Sequence, residues 1–112
     1  MVKSYSLTLT GAVQRLSQVL ASGANNAMPT VMEDLAYQQL RLQADPANGA
    51  VVYIGAGSDV SSTNHGASLD PTQATAVDSL TLGPFACGPV KLSDLWVIGT
   101  NGQRLMVLGV VL

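Results

Sequence analysis

The sequence predicts an all-β fold, an antiparallel β-sandwich of jelly-roll-like type with about seven short strands. Three observations predict it. The chain opens on strict apolar–polar alternation, short β-prone runs recur between turns built on Gly, Pro and Asn, and helical spacing is confined to a few residues after Gly11. At 112 residues the chain reads as a single domain, 1–112. A domain of this size buries roughly two-thirds of its unfolded surface, so it needs no covalent staples.

From Ser4 to Thr10, Tyr5, Leu7 and Leu9 share one face and Ser4, Ser6, Thr8 and Thr10 the other, which predicts a half-buried strand. Residues 1–10 are accordingly read as an N-terminal arm or an edge strand. Gly11 breaks the pattern, and Val13, Leu16, Val19 and Leu20 predict a short strand passing into one helical turn. Ala21 to Pro29 reads as a loop. Glu33 and Asp34 lead into the strand Ala36 to Ala44, with Leu40 and Leu42 inward and Arg41 and Gln43 outward. Asp45-Pro46-Ala47-Asn48-Gly49 is a turn, since Pro46 presets φ and Asn48-Gly49 tolerates positive φ. With Ala50 to Gly55 following directly, residues 36–55 predict a β-hairpin.

Residues 56–76 lack periodicity and read as a long loop, of the kind that is often functional. Ser79 to Leu82 is a short strand, and the turn Cys87-Gly88-Pro89 leads into Lys91 to Gly99. Thr100-Asn101-Gly102-Gln103 then predicts a second hairpin, onto Arg104 to Leu112. The runs Leu95-Trp96-Val97-Ile98 and Leu105-Met106-Val107-Leu108 are continuously apolar, which predicts burial on both faces, one of them against another chain.

Composition narrows function. Charged residues are 11% of the chain, against about 25% in a typical soluble domain. Hydrophobic residues reach 47%, yet no apolar stretch approaches the ~18 to 20 residues of a membrane helix. Met1 to Tyr5 alternates and does not read as a secretory signal. The net charge is −2 without a basic cluster, so no nucleic-acid partner is expected, and no membrane partner either. Much of the surface must be neutral polar or apolar, which suits a chain whose purpose is association. The single cysteine, Cys87, rules out an intramolecular disulfide and suits folding in a reducing compartment.

Catalytic readings fare poorly. His65 could be placed in a triad with Asp59 or Asp70, but no serine has nucleophile-elbow context, and His65 reads as a loop residue. Gly55-Ala56-Gly57 follows a strand but is not followed by a helix-forming run, so it is no phosphate cradle. The carboxylates are scattered without calcium-loop spacing, and Cys87 has no neighbouring base and reads as a buried or semi-buried thiol. Trp96, Tyr53, Tyr37 and Tyr5 could form a glycan platform, although aromatic residues among aliphatic strand neighbours more often pack in cores. The expectation is a protein without enzymatic activity, catalytic residues, metal or cofactor.

The segments L-R-L-Q-A-D-P-A-N (Leu40 to Asn48), V-V-Y-I-G (Val51 to Gly55) and S-D-V-S-S-T-N-H-G (Ser58 to Gly66) resemble a pattern of small tailed-phage virion proteins. Leu69 and Pro71, L-G-P-F (Leu82 to Phe85) and G-P-V-K-L-S-D-L-W-V-I-G-T (Gly88 to Thr100) extend the resemblance, which runs from Leu40 to the C-terminus. It rests on turns and strand ends. The resemblance implies a capsid decoration (cement) protein, made in the bacterial host cytoplasm and placed on the outer surface of the virion head. There it would bridge neighbouring major capsid protein subunits as a homodimer or homotrimer. On that basis the 56–76 loop and the N-terminal arm are the candidate capsid contacts, through Tyr5, Asp59, Val60, Asn64, His65 and Leu69. Trp96, Ile98, Met106 and Leu108 are the candidate subunit contacts. A head–tail connector, tail or baseplate component, or a glycan-binding module, is the alternative.

Overall fold

The computed structural model describes residues 2–22, 30–31, 35–72, 78–84 and 89–112. The expectations for Glu33, Asp34, Cys87, residues 23–29 of the loop read over Ala21 to Pro29, and the end of the loop at 73–76 lie outside the described residues, while Ala21 and Ser22 belong to a strand and not to that loop. The chain is all-β: two antiparallel sheets enclose one apolar core. In chain order the strands are β1 (Val2–Thr8), β2 (Gln14–Arg15), β3 (Leu20–Ser22), β4 (Thr30–Val31), β5 (Ala36–Ala44), β6 (Val52–Gly55), β7 (Ala67–Leu69), β8 (Ser79–Leu82), β9 (Val90–Lys91), β10 (Trp96–Ile98) and β11 (Arg104–Val111). The count exceeds the seven expected because β2, β4 and β9 are two-residue strands too short to show a pattern, and β7 lies in the stretch read as a loop. The larger sheet runs β4-β3-β1-β11-β5-β8, with β9 also pairing β5, and the smaller runs β2-β10-β6-β7.

Alternation explains the inward faces. Leu7 of β1, Leu40 and Leu42 of β5, and Leu105 and Val107 of β11 meet Val52 and Ile54 of β6 and Val97 of β10. Each fully buried aliphatic side chain contributes about 1.5–3 kcal/mol relative to exposure. β5 reaches its full length by a bulge. Val110 pairs with Gln39 but Val111 with Tyr37, so Gln38 is an extra residue and Tyr37 turns inward beside Leu40.

Four expectations are corrected. β1 is neither arm nor edge: it pairs with β11 along its length and with β3 on its other side, because its inward leucine belongs to the central core. Residues 36–55 are not a hairpin, since β5 lies in the larger sheet and β6 in the smaller. Residues 96–111 are not one either, for the same reason. Inside the stretch read as a long loop, β7 pairs antiparallel with β6, so the chain closes there as a hairpin.

Two buried carboxamides redirect those turns. Asn48 donates from Nδ2 to the Arg104 carbonyl at 2.8 Å, and its Oδ1 accepts from the Arg104 N–H at 2.9 Å. The side chain thus completes a backbone ladder rung from another strand. Gln103 accepts from the Thr100 N–H at 2.6 Å and donates to the Ala50 carbonyl at 2.7 Å. Gly102, at φ +88, occupies the third position of the Thr100–Gln103 turn, a conformation that favours glycine. These bonds hold both sheet-to-sheet connections together at one end of the sandwich.

At two other points the chain crosses between sheets through a single 3₁₀ turn. Leu16–Gln18 carries β2 to β3, and Leu92–Asp94 carries β9 to β10 in the opposite sense. Both turns read Leu-Ser-polar after a basic residue, both bury their leucine completely, and Leu16 N–H donates to the Leu95 carbonyl at 2.8 Å. The two corners brace each other.

Candidate functional site

The candidate sites are the two outer sheet faces. On the smaller sheet, register places Arg15, Trp96 and Gly55 in one row and Ile98, Tyr53 and Ser68 in the next. All point away from the core, because Val97, Val52 and Ile54 between them are buried. Opposite Trp96 stands Gly55, and Val60 occupies the place its side chain would take. Arg15 covers the Trp96 ring, its guanidinium carbon 4.9 Å from the ring centroid, in cation–π geometry.

His65 lies against the neighbouring Tyr53, ring centroids 4.8 Å apart and tilted by 48°. The loop that delivers it is internally bonded. Asn64 Nδ2 donates to the Asp59 carbonyl at 3.2 Å and to its carboxylate at 2.9 Å, while Ser61 N–H donates to Asn64 O at 2.7 Å. A nitrogen of His65 sits 3.1 Å from the Ser61 carbonyl. Val60 anchors the loop: it is buried against Gly55, where a Cβ would come within 2.9 Å of Val60 Cγ2. Gly55, Gly57, Asp59, Asn64 and His65 border a shallow hollow of about 410 Å³ beside the aromatic row.

On the larger sheet the outward rows are Val2, Val110 and Gln39; Ser4, Leu108, Arg41 and Thr81; and Ser6, Met106, Gln43 and Ser79. Central strand β11 thus carries an apolar stripe of Met106, Leu108 and Val110. Leu108 is 49% exposed although it sits mid-sheet, and Val2 is 62% exposed. Among the described residues the outward apolar side chains of β10 and β11 are half-buried, with Leu108 exposed, while inward Val97, Leu105 and Val107 are buried.

The sequence-derived contact residues separate accordingly. Asp59, Asn64 and His65 are exposed together in the loop. Val60 and Leu69 are buried and Tyr5 is half-buried against the core, so the structure places these three in the packing of the fold. Trp96 and Ile98 lie on one outer face and Met106 and Leu108 on the other, so one isologous contact cannot hold all four. Tyr37 is fully buried and Tyr5 packs on the larger sheet, which leaves Trp96 and Tyr53 of the four aromatic residues on one outer face, in diagonal positions on neighbouring strands. Arg15 was missed by sequence reasoning. Its signal was the cationic residue in Gln-Arg-Leu-Ser, matched by Lys91 in Val-Lys-Leu-Ser.

Asp70 accepts hydrogen bonds from the Thr72 hydroxyl and backbone N–H, which hold its carboxyl below the usual carboxylate range. Its partners make it an exposed turn brace.

No family model, no curated protein and no solved structure matches this chain.

Proposed function

We propose that this protein is a virion structural component, a decoration protein that binds the outside of a tailed-phage head and bridges neighbouring major capsid protein subunits. One observation carries the reading. A single core presents partly exposed apolar or aromatic side chains on two opposite faces, half-buried Trp96, Ile98 and Tyr53 on one and half-buried Met106 with exposed Leu108 on the other. A small domain with one such face is a binder, whereas one with two is built to join things. Their near-neutral surroundings of Ser, Thr and Gln lower the desolvation cost of covering them. Repetition on a shell then multiplies modest contacts, because each bound copy raises the effective concentration of the next.

In this reading the aromatic face and its pre-bonded loop meet the shell. A loop already held by its own hydrogen bonds loses little conformational entropy on docking. The test is addition of the purified protein to heads lacking it, followed by heat challenge and electron cryomicroscopy. Wild type should decorate the outer surface and raise heat resistance, and Trp96→Ala with Arg15→Ala should bind at least tenfold more weakly. Failure of the wild type to bind heads sinks the proposal. Density confined to the head–tail joint would assign it to a connector.

A glycan-binding module is the second reading, favoured by Trp96 and Tyr53 sharing an outer face. Saccharide binding that is lost in a folded Trp96→Ala variant, without any binding to heads, would select it.

A further inference from the structure

We infer that Asn48 and Asn101 are sites of spontaneous deamidation in this chain, and that the fold shields Asn48 so that its conversion marks time spent unfolded. The inference goes beyond the proposed function and does not depend on it.

The sequence holds two Asn-Gly pairs, Asn48-Gly49 and Asn101-Gly102. Asparagine before glycine is chemically labile, because no Cβ on the following residue hinders its backbone nitrogen. That nitrogen attacks the asparagine Cγ and a new C–N bond forms. The side-chain amide leaves as ammonia, taking up the proton lost from the glycine nitrogen. Water then opens the resulting succinimide at either carbonyl, giving aspartate or isoaspartate. Water enters, ammonia leaves, and nothing is oxidised or reduced. Two conditions must hold: the carboxamide must be free to turn its face to the next nitrogen, and that nitrogen must be free to give up its proton.

The structure withholds one condition at each site, and a different one. At Asn48 the carboxamide is withheld. It is buried, with Nδ2 donating to the Arg104 carbonyl at 2.8 Å and Oδ1 accepting from the Arg104 N–H at 2.9 Å. To face Gly49 it must leave both bonds, which deprives the Arg104 N–H of its acceptor. The nucleophile is the free partner here, since Gly49 is exposed and its N–H has no hydrogen-bond partner among the described residues. At Asn101 the roles reverse. Its side chain is exposed in the Thr100–Gln103 turn, while the Gly102 N–H donates to the carbonyl of buried Leu9 at 2.9 Å. The Leu9 N–H donates in turn to the Gln103 carbonyl at 2.8 Å, so the Gly102 nitrogen keeps its proton while that pair of bonds holds.

Reaction then proceeds only from the locally opened fraction. One net hydrogen bond is worth a factor of about five in that fraction, so the single bond at Gly102 slows Asn101 about fivefold and the two at Asn48 slow it about 30-fold. The products differ as well. An aspartate at 101 remains on an exposed turn, whereas one at 48 has no N–H for the Arg104 carbonyl, and isoaspartate adds an atom to the backbone of the Asp45–Gly49 turn. A chain converted at 48 while unfolded therefore returns to a weaker fold.

The test incubates the purified protein at mildly alkaline pH, folded and in denaturing urea, and follows each site by peptide mass spectrometry with ammonia release as the total. In urea both sites should convert at similar rates. In the folded protein Asn101 should slow about fivefold and Asn48 at least 30-fold. Gly49→Ala is the control, because a Cβ there meets nothing within 4 Å and the variant folds. It should slow Asn48 in urea at least about tenfold by hindering the nitrogen, and leave Asn101 unchanged. Chains converted at 48 and refolded by dilution should melt below unconverted chains, and those converted to aspartate at 101 alone should melt with them. Asn48 reacting in the folded protein as fast as in urea, or faster than folded Asn101, overturns the inference. So do two sites inert in urea, or an unchanged melt after conversion at 48.

Discussion

Replacing Gly109 with alanine tests how the core is closed. An added Cβ at this position would lie 2.5 Å from Cε1 of Tyr37 and closer still to Cδ1, with Leu40 Cδ2 at 2.9 Å on the other side. Tyr37 and Leu40 are fully buried, so neither ring nor methyl has space to retreat into. Overpacking of this kind costs about 1–3 kcal/mol, and the double clash places Gly109→Ala near 3 kcal/mol. That is roughly a hundredfold in the folding equilibrium, a large share of the ~5–15 kcal/mol of a typical domain. Urea denaturation of the single variant, of Tyr37→Val and of the pair gives a double-mutant cycle. In the Tyr37→Val background the ring is gone, so alanine at 109 should cost less than about 1 kcal/mol or become favourable, because glycine in a strand interior is itself unfavourable. A single-variant cost below about 1 kcal/mol, or an equal cost in both backgrounds, would refute the packing argument.

Three further outcomes are expected. Asn48→Ala removes both bonds to the Arg104 backbone and should cost about 2 kcal/mol, and Asn48→Asp should cost at least as much at neutral pH by setting a carboxylate against the Arg104 carbonyl; calorimetry measures both. Because the folded Asp70 carboxyl is held below its ordinary range, its contribution to stability is present above that range and is lost as pH falls through the folded value. Asp70→Asn should therefore be less stable than wild type at pH 7 and converge with it in acid, as followed by thermal melts; divergence in acid would reverse the sign of this reasoning. Val60→Ala should loosen the 56–66 loop at a cost of about 1 kcal/mol, seen as faster hydrogen exchange at the Ser61, Asn64 and Gly66 amides, and exchange unchanged from wild type would show that Val60 is not the anchor.

Much of the strand content was legible because side-chain alternation is a local signal. Leu40 and Leu42 point inward and Arg41 and Gln43 outward as their spacing requires. The pairing of strands was less legible, for a physical reason. The Asp45–Gly49 and Thr100–Gln103 turns carry the same Pro, Asn and Gly chemistry whether the chain folds back in its own sheet or crosses to the other. The choice is made by Asn48 and Gln103 bonding to backbone far away in sequence, which no local pattern records. The bulge at Gln38 was hidden likewise, since Tyr37 and Leu40 are both inward at a spacing of three, which breaks the strand period of two. At the candidate faces, the apolar runs singled out Trp96, Ile98, Met106 and Leu108, but only the sheets could divide them into two surfaces. The paired corners around Leu16 and Leu92 were visible as Arg-Leu-Ser and Lys-Leu-Ser, a repeat too short to stand out in the sequence.

The pairing of β1 with β11 also has a consequence for how the chain is made. Val2 meets Val110 and Leu7 meets Leu105, so β1 leaves the ribosome about a hundred residues ahead of its central partner. At roughly 5–20 residues per second, β1 waits on the order of 5–20 s for that partner. Until then its Tyr5–Leu7 face has only nearer strands such as β3 to lie against. Contacts spanning nearly the whole chain also slow folding into the millisecond-to-second range of β-sandwiches. The low-charge surface that suits a finished assembly is thus a hazard during synthesis, and the serines and threonines alternating along β1 supply the polarity that keeps the waiting strand solvated.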